Sequence, residues 1–335
     1  MVGMPPIQET ISLEGFIDKC IKIKIPESNI VECANIIFNG PTGITIDYIA
    51  RRKTLLQSYQ SQLQELLKIP IVVQRSQEWF DIRKTLITAS DFAQALGEGK
   101  FGTKRDIFKK KCGYEQEVKL NPNSMAPLKW GVMFEPIAQN IYSQRTRMKI
   151  YEFGLIRHPD PKRNYFGASP DGINEFGIML EIKCPFMRKI TGEVPLQYYY
   201  QIQGQLDVCG LSECDYLECQ FQKVDKLDPE YRAEQGSFLE YPGEDSSEYV
   251  YENIQETMEK RPGYIIHNWQ LAKYNVVRVY KDDEFVQAKL DDLEQIWGQI
   301  EMYQGNKNVY DKEVKLSGKH ATTNQPAKIT GYAFI

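Results

Sequence analysis

The stretch Ala168–Pro185, ASPDGINEFGIMLEIKCP, decides how this chain is read. It opens on a turn, Ser169-Pro170-Asp171-Gly172, and continues into an apolar run that two opposite charges interrupt. Pro presets φ at the second turn position and Gly tolerates the dihedrals at the turn's end, so turn formation alone accounts for the first part. Glu181 and Lys183 sit two residues apart, and in a strand both side chains leave one face. On a half-exposed strand that is an ordinary salt pair. The spacing adds to this: nine residues separate Asp171 from Glu181, and a turn leading into a second strand brings the two carboxylates together. Two carboxylates with the carbonyl of Ile182 between them make a hard, all-oxygen site, which suits Mg²⁺ with several retained waters. Lys183 then stands beside such a water, to orient it or, if its pKa is lowered, to help deprotonate it.

The rest of the chain frames this stretch. Its 335 residues suffice for one large domain with additions or for two domains. Hydrophobic residues at 42% and charged residues at 26% are ordinary for a globular protein. No apolar run approaches the roughly 20 residues that span a bilayer, and the N-terminus carries neither a basic nor an apolar signal region. Seven cysteines, odd in number and without CxxC pairs, argue against a disulfide framework and a zinc ribbon. Cys209, Cys214 and Cys219 recur every five residues, a spacing that suggests an iron–sulfur cluster but reads better as small core residues. These features place the protein inside a cell, in a reducing compartment, and not among secreted proteins.

The net charge of −4 is unevenly spread. Residues 225–259 hold eleven acidic and two basic side chains, a local net of −9 that leaves the remainder at +5. A basic cluster at Lys100, Lys104, Arg105, Lys109, Lys110 and Lys111 offers a phosphate track through Lys104, Arg105 and Lys109, although most such runs are solvated faces.

Residues 1–70 read as a helical N-terminal extension, with Leu55, Leu56, Tyr59, Leu63, Leu66 and Leu67 at helical spacing before Pro70. Residues 71–304 alternate helical and strand patterns, an α/β or α+β core. The spacing predicts helices at Ala89–Leu96, Arg105–Cys112, Trp130–Arg145 and Pro195–Cys209. It predicts strands at Ile150–Ile156, Ile178–Lys183, Tyr216–Phe221 and Tyr274–Tyr280, with an amphipathic helix after Asp282. The acidic segment, 225–262, reads as an exposed insertion, and residues 305–335 as an extended tail.

Four further segments bear on the chemistry. In EWFDIR (Glu78–Arg83) and ITAS (Ile87–Ser90), Arg83 precedes a hydroxyl-bearing helix start that suits a terminal phosphate, although Ser90 or Thr88 equally reads as a simple cap. In WGVMFE (Trp130–Glu135), one carboxylate interrupts an apolar helix; a lone Glu is by default a surface residue. In YYYQIQGQL (Tyr198–Leu206), Gln201 and Gln205 lie one helical turn apart, either solvated or pointing into the site. Finally, Cys184-Pro185-Phe186 ends the E-x-K strand.

The Pro-Asp-x(n)-Glu-x-Lys arrangement resembles that of the PD-(D/E)xK nucleases. The ordered set EWFDIR…ITAS, WGVMFE, ASPDG, LEIKCPF and YYYQIQGQL resembles the lambda-exonuclease-like, or YqaJ-type, viral recombinase family within them. The resemblance is strong over about Gln74–Phe221 and looser to about Tyr303. It implies a restriction-endonuclease-like core, a central mixed sheet flanked by helices. It also implies that Asp171, Glu181 and the Ile182 carbonyl bind Mg²⁺, with Mn²⁺ substituting, and that Lys183 handles the attacking water. Glu135 would help hold metal or water, Gln201 would support the lysine and substrate, and Arg83 with Ser90 would receive a 5′-phosphate. The implied activity is 5′→3′ hydrolysis of one strand from double-stranded DNA ends, leaving 3′ single strands for recombination or repair. The implied partners are 5′-phosphorylated duplex ends, a single-strand annealing protein and further copies in a ring trimer, with no membrane. Two other readings stand beside it: a structure-specific or restriction-type endonuclease on the same core, and a non-catalytic DNA-binding module.

Overall fold

The computed structural model describes residues 8–74, 76–114, 122–231, 233–243 and 247–315. The chain begins with β1 (Gln8–Thr10) and three helices, α1 (Leu13–Lys22), α2 (Glu27–Ile37) and α3 (Ile46–Leu66). Next come α4 (Gln77–Lys84), β2 (Ile87–Thr88), a 3-10 turn at Ala89–Asp91, α5 (Phe92–Ala95), α6 (Lys104–Cys112) and α7 (Pro122–Thr146). Five short strands follow: β3 (Ile150–Tyr151), β4 (Ile156–Arg157), β5 (Phe166–Ala168), β6 (Gly172–Asn174) and β7 (Met179–Lys183). After α8 (Leu196–Cys209) come β8 (Glu213–Val224), β9 (Gln235–Tyr241), β10 (Glu248–Val250), α9 (Ile254–Lys260) and β11 (Ile265–Tyr280). The described chain closes with α10 (Asp283–Gly305), α11 (Lys307–Tyr310) and a π-turn at Asp311–Lys315.

Eight strands form one mixed sheet in the order β10-β9-β11-β8-β7-β6-β3, with β1 alongside β11, and β2-β5-β4 form a small second sheet. This is the expected mixed α+β core with helices against a central sheet. β7 and β8 are parallel, joined by α8, whose chain is turned by Gly210 in the left-handed region at φ 63°. All five residues of β7 are buried, as in a strand covered on both faces. Its side chains alternate: Met179 packs in the cluster that holds Ile202 and Leu206 of α8, while Leu180 and Ile182 pack with Phe134 and Ile137 of α7. Glu181 and Lys183 therefore leave on the α8 face.

The N-terminal helices have a small core of their own around Ile17, Ile30 and Ile49. Buried charges fasten them to the main sheet. Arg52 of α3 donates to Asp18 of α1 at 2.7 Å and to Glu213 of β8, and Arg278 of β11 reaches Asp215 at 2.7 Å and Asp18 at 3.1 Å.

Three expectations change. The predicted strand Ile150–Ile156 is two strands in different sheets, because the chain leaves the large sheet after Tyr151 and joins the small one at Ile156. The acidic segment is not a loop. It supplies β9 and β10, which extend the main sheet, and Phe238 and Leu239 of β9 are fully buried. The one acid within β9, Glu240, is buried and ion-paired to Lys129 and His267, so the strand accommodates it. Residues 306–315 continue as helical turns rather than an extended tail; residues 316–335 lie outside the described residues.

Candidate active site

The turn at 169–172 and the end of β7 meet as the spacing requires. The Asp171 carboxylate accepts from the Ile182 N–H at 2.6 Å, just beyond the point where β6 stops pairing with β7. Glu181 is fully buried, and Lys183 places its ammonium 2.5 Å from Glu181 Oε1. Neither oxygen of Glu181 has a hydrogen bond of good geometry, so the lysine contact is an ion pair alone. Gln139 of α7 donates to the Asp171 carbonyl at 3.1 Å, and Glu135 lies one turn earlier on the same helix face.

The charges at this spot do not balance. Burial, then Glu181, then Glu135 push the Asp171 carboxyl well above its ordinary pKa. Burial alone would lower Lys183, but Glu181 and Asp171 outweigh it and hold the ammonium above its ordinary value. Beside these carboxylates Lys183 is held in its cationic form, disposed to orient a water and to offset negative charge.

On α8, the Tyr198 ring lies 5.0 Å from Lys183 Nζ, and Gln205 donates to the Ser169 carbonyl at 3.4 Å. Gln201 stands between them at i+3 and i−4, so it is on the helix stripe that faces the site, and it is buried. Gln205 points inward as well rather than into solvent.

Arg83 occupies a second pocket. Its guanidinium stacks on Trp79 at 4.3 Å and reaches Thr88 Oγ1 at 3.4 Å, and Thr88 in turn contacts Ser90 Oγ at 2.9 Å. Both Lys110 and Lys111 meet Asp91, at 2.9 and 3.0 Å. Burial works against the Asp91 carboxylate, yet these lysines with Arg83 hold its pKa well below the usual range. Burial pushes Lys111 down to about 7. Trp79 Nε1 donates to Ser169 Oγ at 3.4 Å, and Ser169 is two residues from Asp171. The arginine pocket and the carboxylate centre are therefore adjoining halves of one site.

The spacing did not single out Trp79, Thr88, Gln139, Ser169 or Tyr198. Ser169 lies inside the quoted turn, and Trp79 is one turn before Arg83, so the helical period could have paired those two. Arg105 donates to the Val314 carbonyl, holding the C-terminal π-turn, and Lys104 lies over the Phe108 ring at 5.8 Å. Lys109 is half-buried on the same helix. Cys209, Cys214 and Cys219 are all buried core residues.

Among the described residues no group of three His, Cys, Asp or Glu side chains is disposed to hold a metal ion. The donors are two carboxylates and a backbone carbonyl. The fit to a hard cation rests on Glu181, whose buried oxygens have the Lys183 ammonium beside them but no hydrogen bond of good geometry, and on the surplus negative charge around Asp171. Waters and substrate oxygens would complete the shell, as Mg²⁺ prefers.

The YqaJ-like viral recombinase domain family matches this sequence over residues 78–212. Over those residues the chain is similar to a YqaJ-like viral recombinase domain. The matched stretch contains both the Arg83 cluster and the carboxylate centre, from Trp79 to Gln205. Among curated proteins, the chain is 26% identical to protein R354 of Acanthamoeba polyphaga mimivirus, over 81% of this chain and 60% of R354. It is 28% identical to protein D345L of African swine fever virus, over 44% of this chain and 50% of D345L. The chain thus spans between half and three-fifths of these relatives' lengths. Among solved structures it is similar to an alkaline exonuclease from Laribacter hongkongensis, with 22% identity and a TM-score of 0.47, covering 72% of this chain and all of that one. No helix among the described residues is long and apolar enough to cross a membrane.

Proposed function

We propose that this protein is a Mg²⁺-dependent nuclease that digests double-stranded DNA from its ends in the 5′→3′ direction, leaving 3′ single strands for recombination. The observation that carries this reading is the Trp79–Ser169 contact, which brings the Arg83 and hydroxyl cluster beside the half-buried Asp171 and the buried Glu181. A pocket of that chemistry takes a phosphate monoester dianion, and one beside the reacting centre measures the distance from a strand's end to the bond cut.

The bound ion would supply Lewis acidity and an acidified water. Asp171, Glu181 and the Ile182 carbonyl would hold it. Lys183, kept cationic by its neighbours, would orient the attacking water and oppose charge developing on the phosphoryl oxygens. Gln201 would hold the lysine or the substrate on the α8 side, and Glu135 the water on the α7 side. Arg83, Thr88, Ser90 and Ser169 would bind the 5′-phosphate. The viral recombinase family of residues 78–212 suits a recombination role, and a single-strand annealing protein and further copies of this chain would be the natural partners.

The test is digestion of end-labelled linear duplex beside a closed circle, with and without Mg²⁺. Linear DNA is expected to be consumed from the 5′ end with the ion only, a 5′-phosphate preferred over a 5′-hydroxyl, and the circle spared. Rapid cutting of the circle overturns the exonuclease reading. Unchanged end preference in Arg83→Ala overturns the pocket assignment.

A further inference from the structure

Just past β7 the chain exposes two apolar side chains, Phe186 at 42% and Met187 at 83%. A methionine left this open beside a buried charged centre gains nothing from burial in the isolated protein. Its neighbours locate it. Phe186 meets Trp130 of α7 edge-on, with ring centroids 5.2 Å apart. Arg188 lies 5.8 Å over Tyr198 of α8 and is ion-paired to Glu218 at 2.5 Å, and the Tyr198 ring also lies 5.0 Å from Lys183. The segment therefore runs from α7, which carries Glu135, across to α8, which carries Gln201. Met187 sits at the middle of that crossing, no more than about 14 Å of chain from Lys183.

We propose that Phe186 and Met187 form a contact for nucleobases flanking the bond to be cut, holding a strand end in place by packing on a base. The inference rests on the nuclease reading and adds a substrate contact to it. A polynucleotide whose phosphate lies at Lys183 carries its bases within a few ångströms, and Arg188 and the exposed Lys189 flank the apolar pair with positive charge. Bases offer flat π-faces to any aromatic ring, and a thioether adapts to their edges. Two side chains are far smaller than the apolar core of a stable protein–protein interface, which favours a base over a protein as occupant.

The experiment compares 5′-phosphorylated duplexes that carry either ordinary nucleotides or abasic residues on both sides of the terminal bond. Wild-type protein is expected to lose about tenfold in kcat/KM on the abasic duplex, the scale of one stacked base. Met187→Ala is expected to lose about tenfold on the ordinary duplex, with little further loss on the abasic one. Phe186→Ala/Met187→Ala should be insensitive to the abasic change. Met187 makes little contact with the fold, so its truncation tests the contact without unfolding the protein. Wild-type kcat/KM for Met187→Ala on the ordinary duplex overturns the proposal, as does an undiminished abasic loss in the double variant; either result leaves the tip for another partner, such as a protein. If wild-type protein cuts neither duplex, the nuclease reading fails, and this inference with it.

Discussion

Two buried clusters in this molecule are built from the same charged groups and serve opposite ends. The first joins Asp18, Arg52, Glu213, Asp215 and Arg278; the second joins Glu135, Asp171, Glu181 and Lys183. In the first, three carboxylates face two guanidinium groups, and tyrosine hydroxyls complete the set: Tyr142 donates to Asp215 at 2.6 Å and Tyr59 to Glu213 at 3.0 Å. The Glu213 pKa is lowered, its arginine partners overcoming burial. In the second, three carboxylates face one ammonium, neither Glu181 oxygen has a hydrogen bond of good geometry, and the Asp171 pKa is raised. A satisfied cluster fastens the N-terminal helices to the sheet. An unsatisfied one stores a demand for positive charge, which suits the cation proposed for it.

The contrast is broken most directly at the carboxylate centre. Glu181→Gln is expected to lower DNA hydrolysis by at least about 1,000-fold while leaving the denaturation midpoint unchanged or higher, since it removes one of three repelling acids. Retained cleavage, or a large loss of stability, would make the two clusters alike. At the other cluster, Arg278→Ala leaves Asp18, Glu213 and Asp215 buried without their shared cation. A loss of about 3–5 kcal/mol in urea unfolding is expected. A loss below about 1 kcal/mol would mean that the cluster does not hold the helices.

A smaller effect separates the clusters by pH. In chelator, the folded state keeps a proton on Asp171 that the unfolded chain has already released. Stability should therefore fall as pH rises from the ordinary aspartate range towards the raised Asp171 pKa. Asp171→Asn should flatten that slope, and Mg²⁺ should raise the midpoint of wild-type protein but not of the variant. The smallest effect belongs to the arginine pocket, where Lys110 and Lys111 share Asp91. Lys111 is cationic below about 7 and discharges as pH rises past it. The preference for a 5′-phosphate should accordingly weaken by a few-fold between about pH 6 and about pH 8 (a charge lost beside a buried anion site), and Lys111→Met should remove that dependence.

Much of the carboxylate centre was legible because its parts lie close in sequence. A Pro-Asp-Gly turn and an E-x-K strand, nine residues apart, can hardly meet otherwise, and local stereochemistry sets which face Glu181 and Lys183 share. The helices of residues 71–304 were legible from apolar period, as with α6 and α8. The acidic segment misled because composition reports average polarity, whereas a short run such as Phe238–Tyr241 suffices to bury a strand. Ile150–Ile156 misled because an extended pattern does not say which sheet a strand joins.

What the sequence determined by itself is the donor set: two carboxylates, a carbonyl and a lysine at a spacing that one turn and one strand bring together. Tertiary structure decided how those groups behave. Burial of β7 on both faces removed the water that would make Glu181 and Lys183 an ordinary pair. The Trp79–Ser169 contact set the arginine pocket against them across 90 residues of chain. Long-range packing sets solvation and neighbours, and these turn a run of residue types into a charged centre that a cation would complete.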